Sequence, residues 1–145
     1  TIHTNSAWAT VSRLIDMGIP PFLIAGTLNC SVAQRLVRKL CESCKQETTF
    51  EPDNLPNSFK MPYLVEKTYK PSGWNNCYHT GYKGRTAIYD VINIDIPIAN
   101  AIKNNNIASF FENDENYKSL AEKAYDVFAK GETSLDEIYS ILLNV

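Results

Sequence analysis

Cys41 and Cys44 stand two residues apart in Cys-Glu-Ser-Cys, directly after the basic and apolar run Ala33-Gln34-Arg35-Leu36-Val37-Arg38-Lys39-Leu40. Cys77 follows much later, just ahead of Thr80-Gly81-Tyr82-Lys83-Gly84-Arg85-Thr86-Ala87-Ile88-Tyr89-Asp90. A close cysteine pair with a distant cysteine beside glycine turns is the layout of a metal-pinned excursion, whose two ends are tied together at their base. A second C-x-x-C would need a cysteine at position 74, which is Trp74. Structural zinc takes four sulfur or nitrogen donors. Cys41, Cys44 and Cys77 supply three; His79 is the candidate fourth, with Cys30 a poorer one. The alternative is that zinc has been lost. Trp74 then fills the gap with aromatic surface, and the thiols stay protonated near their ordinary pKa of about 8.5.

The residues around this excursion read as a mixed fold. Ala7, Val11, Leu14 and Ile15 recur at helical spacing after the capping candidates Thr4 and Asn5, and Gly18 with Pro20 ends that helix. Pro21 suits the first turn of a second helix through Leu28. Residues 31–40 fit both periods, and we place Ser31–Lys39 as a strand neighbouring the β-branched run Thr86–Ile92. Between them, Pro52, Pro56, Pro62 and Pro71 break up an irregular segment, with a short helix expected near Asn57-Ser58-Phe59 and a strand near Val65–Tyr69. Asp95 caps a helix that carries Pro97 in its first turn and stops at Asn104-Asn105-Asn106. Tyr117, Leu120, Ala121, Ala124, Tyr125 and Phe128 share a helical face closed by Gly131. Ser134-x-x-Glu137 is a capping box for a last helix with Leu135, Ile138, Tyr139, Leu142 and Leu143 inward.

With 145 residues, 44% of them hydrophobic, the chain can bury a core. A net charge of -2 argues against bulk nucleic-acid binding. No apolar run approaches the roughly 20 residues of a membrane span, and no signal-peptide pattern is present. No nucleophile–base pair or spaced acid pair marks an enzyme in its own right. Four cysteines do not make a disulfide framework at this length, and the closely spaced Cys41 and Cys44 read better as thiols or metal ligands in a reducing compartment.

Taken in order, His3-Thr4-Asn5-Ser6-Ala7, Arg13-Leu14-Ile15-Asp16-Met17-Gly18, Gln34-Arg35-Leu36-Val37-Arg38-Lys39-Leu40-Cys41, the stretch from Thr80 to Asp90, and Gly131-Glu132-Thr133-Ser134-Leu135-Asp136-Glu137-Ile138 resemble the C-terminal part of the hexameric ATPases of type II secretion and type IV pilus assembly, the general secretion pathway protein E type. The resemblance implies an α/β fold: the C-terminal fragment of a RecA-like ATPase core, with a cysteine-bearing excursion between two neighbouring strands and a C-terminal helical subdomain. Residues 1–40 would be core remnant, 41–83 the zinc-arm-like insertion, and 84–145 the closing strand and helices. His3 would be the His-box histidine near the terminal phosphate in the intact motor. The family's four zinc ligands fall on Cys41, Cys44, Trp74 and Cys77. Gln34, Arg35, Gly81, Gly84 and Arg85 lie in family motifs as interface or structural positions. Arg35, Arg38 and Lys39 otherwise read as ordinary solvated charge.

These 145 residues contain no G-x-x-x-x-G-K-[ST]. They therefore hold no phosphate cradle, no lysine for the β and γ oxygens and no hydroxyl for Mg²⁺. The acidic Walker B strand and catalytic glutamate, which in the family precede His3, are also missing. The resemblance thus implies a region that cannot hydrolyse ATP alone, Mg-ATP belonging to the intact parent. It implies partners among other motor subunits, an inner-membrane platform and its cytoplasmic adaptor, at a cytoplasmic site peripheral to that membrane, with no nucleic acid expected. The competing expectation is a stand-alone zinc-knuckle adaptor binding protein or nucleic acid through Arg35, Arg38, Lys39 and the aromatics near Cys77.

Overall fold

The computed structural model describes residues 4–114 and 116–143; His3 lies outside the described residues. The fold is mixed helix and sheet, as expected. Two long strands, β1 (Cys30–Leu40) and β4 (Tyr82–Asn93), form one two-stranded sheet. The Ile94 N–H donates to the Asn29 carbonyl, and the Cys41 N–H to the Gly81 carbonyl, so the start of each strand meets the end of the other. The whole cysteine-bearing excursion runs between these strands.

The chain divides into two compact units, residues 1–34 with 89–119, and residues 35–88 with 120–145. The first contains α1 (Ala7–Asp16), α2 (Pro21–Thr27), α3 (Ile96–Lys103) and α4 (Ile107–Glu112). Its core gathers Ala7, Val11, Ile24, Ala33, Ile92, Ile98, Ile102, Ile107 and Phe111. Ser6 is the cap of α1, its Oγ accepting from the Ala9 N–H, in place of the expected Thr4 or Asn5. The backbone becomes helical one residue later than the polar run allowed. Pro21 opens α2 and Asp95 caps α3 as read from the sequence. The short α4 went unforeseen: its six residues are too few to show a period. Tyr117, expected on the next helix, lies outside it. Its ring packs against Phe111 at 4.9 Å between centroids, and its hydroxyl donates to Asp90 Oδ2 at 2.6 Å.

The second unit holds a small antiparallel hairpin, β2 (Gln46–Thr49) with β3 (Lys67–Lys70), and the helices α5 (Leu120–Ala129) and α6 (Leu135–Leu142). The short helix expected near 57–59 instead forms as a 3-10 turn at Pro52–Asn54, where a proline at the first position presets the backbone. Polar β2 carried no strand signal of its own; it exists by pairing with β3. The core is aromatic: Phe50 and Phe59 from the excursion pack on Tyr125 and Phe128 of α5, beside Val37, Ile88, Ile138 and Leu142. The irregular segment therefore supplies two buried aromatic anchors to a shared core, with Leu55, Met61 and Val65 packed beside them. Tyr139 and Leu143 face outward, correcting their inward placement. Among the described residues, no helix is long and apolar enough to cross a membrane.

Candidate metal centre

The end of β1 delivers Cys41 into a tight turn. Its carbonyl accepts from the Cys44 N–H at 3.1 Å and the Lys45 N–H at 2.9 Å. The return path reaches Cys77 through a second turn that begins at Trp74. The three sulfurs lie within 4.8 Å of one another, and Cys44 Sγ and Cys77 Sγ are 3.7 Å apart. A tetrahedron with metal–sulfur bonds of about 2.3 Å has sulfur–sulfur edges of about 3.8 Å. The cluster thus has the scale of three corners of a thiolate site, and the three cysteines lie close enough to hold a metal ion.

Backbone amides prepare the sulfurs. The Trp74 N–H donates to Cys77 Sγ at 3.2 Å and the Gly81 N–H at 3.3 Å. Burial works to raise the Cys77 pKa. The Trp74 and Gly81 N–H groups, with the Cys44 and Cys41 thiols, outweigh it and bring the group down to about 7. Burial pushes the Cys44 thiol up; the Gly73 N–H opposes this, and the neighbouring sulfurs add to the rise. N–H donors stabilise the ionised sulfur and so favour the thiolate of Cys77.

His79 is not brought into the sulfur group. It is exposed, its φ is 61°, and its N–H donates to the Trp74 carbonyl at 3.0 Å. Cys30 is exposed at the start of β1 and also stands outside the group. Trp74 and Tyr78 are exposed, whereas Tyr82 is half-buried under the Arg38 guanidinium, 4.1 Å from its ring centroid.

The other motif residues form a buttress beside the cysteines. Arg38 bonds Glu137 Oε2 through Nε at 2.8 Å and Nη2 at 2.6 Å, and its backbone N–H bonds Oε1 at 2.9 Å. The Leu40 N–H donates to the Glu132 carbonyl, and the Thr133 hydroxyl donates to the Arg38 carbonyl. Tyr82 and Ser134 share a hydroxyl–hydroxyl bond of 2.6 Å. Glu137 thus spends its carboxylate on Arg38, while Ser134 Oγ accepts from the Glu137 N–H as a cap. The spacing of Ser134 and Glu137 reveals the cap but not the cross-chain pair, because spacing within one helix carries no information about a strand about a hundred residues away. Gln34 is exposed and Arg35 half-buried on β1. Gly81 is buried with φ 77°, Gly84 is exposed with φ 81°, and Arg85 is exposed, its charge favouring the ionised Glu137.

Asp90 also went unrecognised. It is fully buried in the first unit, and its Oδ2 accepts from the Ala7 N–H at 2.7 Å and from Tyr117. A carboxylate there meets the positive end of α1. A charged residue on the same strand face as the apolar Ile88 and Ile92 was the available signal.

A family model described as "Type II/IV secretion system protein" matches residues 1–140. The type II secretion system ATPase E of Vibrio cholerae is 37% identical over 145 residues, covering 97% of this chain and 28% of that protein. The type IV pilus assembly ATPase PilB of Thermus thermophilus is 34% identical over 143 residues, covering 95% of this chain and 16% of that protein. The chain spans under a third of the length of these curated relatives. The crystal structure of the pilus retraction motor PilT with bound ADP superposes with a TM-score of 0.58 over 97% of this chain and 31% of that one; at 16% identity, this is a likeness of fold.

Proposed function

This chain belongs to the type II/IV secretion system protein family, and from that premise we propose that it is the C-terminal region of a secretion or pilus-assembly ATPase, non-catalytic alone, that contributes to subunit contacts and transmits nucleotide-driven movement. The observation that carries this reading is the ordered match of residues 1–140, with the cysteine excursion bracketed by paired strands. In the intact motor, His3 serves as the His-box histidine of the family, and Asp90 fixes the head of α1 through the Ala7 N–H. Residues 1–40 close the RecA-like core, 41–83 form the arm, and 84–145 complete the region. Gln34, Arg35 and Arg85 meet neighbouring subunits of a hexamer, while Gly81 and Gly84 shape the arm's return. The assembled motor works in the cytoplasm, against an inner-membrane platform and its adaptor.

Zinc is the ion that the cysteines serve, held by Cys41, Cys44 and Cys77. It would supply no chemistry beyond a tie between the two ends of the excursion. The donor set suits it: soft thiolates favour zinc over oxygen-seeking cations.

Two measurements test this reading. The 145-residue chain should turn over no ATP, and a measurable rate overturns the non-catalytic assignment. A chimera carrying this region in place of its counterpart in the Vibrio cholerae relative should assemble and hydrolyse ATP. Assembly lost in a soluble, folded chimera counts against the proposed subunit contacts.

A further inference from the structure

The two turns bearing the cysteines are built alike. In one, the Cys41 carbonyl accepts from the N–H three residues on, at 3.1 Å; in the other, the Trp74 carbonyl accepts from the Cys77 N–H at the same distance. Position 74 therefore stands to Cys77 as Cys41 stands to Cys44, and it is where a fourth sulfur would complete the tetrahedron. Trp74 is instead 58% exposed, and its indole offers a donor N–H with no lone pair for a metal. Among the described residues, no other cysteine, histidine, aspartate or glutamate joins the three sulfurs. Solvent reaches this edge: Asn75, Asn76, Tyr78, His79 and Thr80 are exposed, whereas Cys41 and Cys77 are buried.

We propose that this is a three-thiolate metal site whose fourth position faces solvent and takes an exchangeable small donor: water, displaced by a small thiol. This rests on the proposed function's premise that the cysteines hold a metal ion. Four protein ligands close a structural site, whereas three leave a position for a solvent-borne ligand. A soft sulfur donor binds a thiolate-rich ion in preference to water. In the exchange, the metal–water bond breaks and a metal–sulfur bond forms. Water leaves, and the thiol proton passes to solvent, with no change of oxidation state.

The test loads the 145-residue chain with Co²⁺, whose visible bands report its ligands, and titrates 2-mercaptoethanol at concentrations that leave the metal bound. The d–d bands should shift saturably and sulfur-to-cobalt absorption should grow. His79→Ala should behave as the wild type. Trp74→Cys should bind Co²⁺ roughly tenfold or more tighter and ignore the added thiol. A cobalt-loaded wild type that ignores the thiol overturns the open position and leaves the metal reading standing. A response gained only in His79→Ala overturns it in favour of histidine ligation. Failure to bind Co²⁺ or Zn²⁺ overturns the metal reading and this inference with it.

Discussion

Gly81 meets two separate demands. Its φ of 77° is a conformation that side chains penalise, and a Cβ there would lie 2.3 Å from Pro71 Cβ and 2.9 Å from Pro71 Cα. Its amide also bonds Cys77 Sγ, and its carbonyl accepts from the Cys41 N–H. Gly84 shares only the first demand: φ is 81°, and a Cβ there would meet nothing within 4 Å. Gly84→Ala should therefore cost about 1 kcal/mol, the ordinary left-handed penalty. Gly81→Ala should cost about 2–4 kcal/mol, because a backbone atom must move as well. Urea titrations of both variants check the difference; equal losses would remove Pro71 from the explanation. The glycines were legible in the sequence as turn residues. Their unequal importance was not, because Pro71 approaches Gly81 only after the excursion has folded back.

The link between β1 and α6 is a carboxylate held by one arginine. Burial works to raise the Glu137 pKa, but Arg38, through its side chain, backbone N–H and charge, holds it below the ordinary carboxylate value. A depressed folded pKa means that the stabilisation is fully present above the unfolded value of about 4.3 and is lost as pH falls through the folded one. Arg38 is half exposed, so the pair contributes roughly 1 kcal/mol. Glu137→Gln should lose that amount at pH 7, and the gap to the wild type should close as the pH falls below about 4. Denaturation midpoints at several pH values check this; a gap constant with pH would mean that charge plays no part. Thr86–Ile92 was legible from its β-branched run, α1, α3 and α6 from an apolar repeat or a cap, and α2 from the proline that opens it, whereas residues 31–40 fit both periods. The hairpin strand Gln46–Thr49 was not legible, since it depends on pairing with β3, and the helix Ile107–Glu112 was not, since six residues are too few to show a period. Tyr117 was misplaced for a related reason: it falls on the helical spacing of α5, yet the helix begins at Leu120, and the ring is held by Phe111 and Asp90.

Both long strands cross the boundary between the two compact units, at residues 34–35 and 88–89. Neither crossing is visible in the sequence, because each strand reads as one unbroken run. The cysteine cluster belongs wholly to the second unit, where Phe50 and Phe59 tie the excursion to Tyr125 and Phe128. The aromatic core restrains the excursion at its middle, and the proposed metal tie would restrain it at its base. They predict different losses. Phe128→Ala should cost about 3–5 kcal/mol whether or not metal is present, since it removes a buried ring. Removal of zinc should cost only its binding linkage, about 2.7 kcal/mol when the free ion stands at a hundred times its dissociation constant. A chelator should speed amide exchange around residues 41–45 and 73–81, where the backbone bonds the sulfurs and shapes their turns. Phe50 and Phe59 stay packed, and α1 in the first unit keeps its protection. Hydrogen exchange with and without zinc reads each segment separately. Uniform deprotection of residues 46–70 after chelation would mean that the metal, and not the aromatic core, holds the excursion in place.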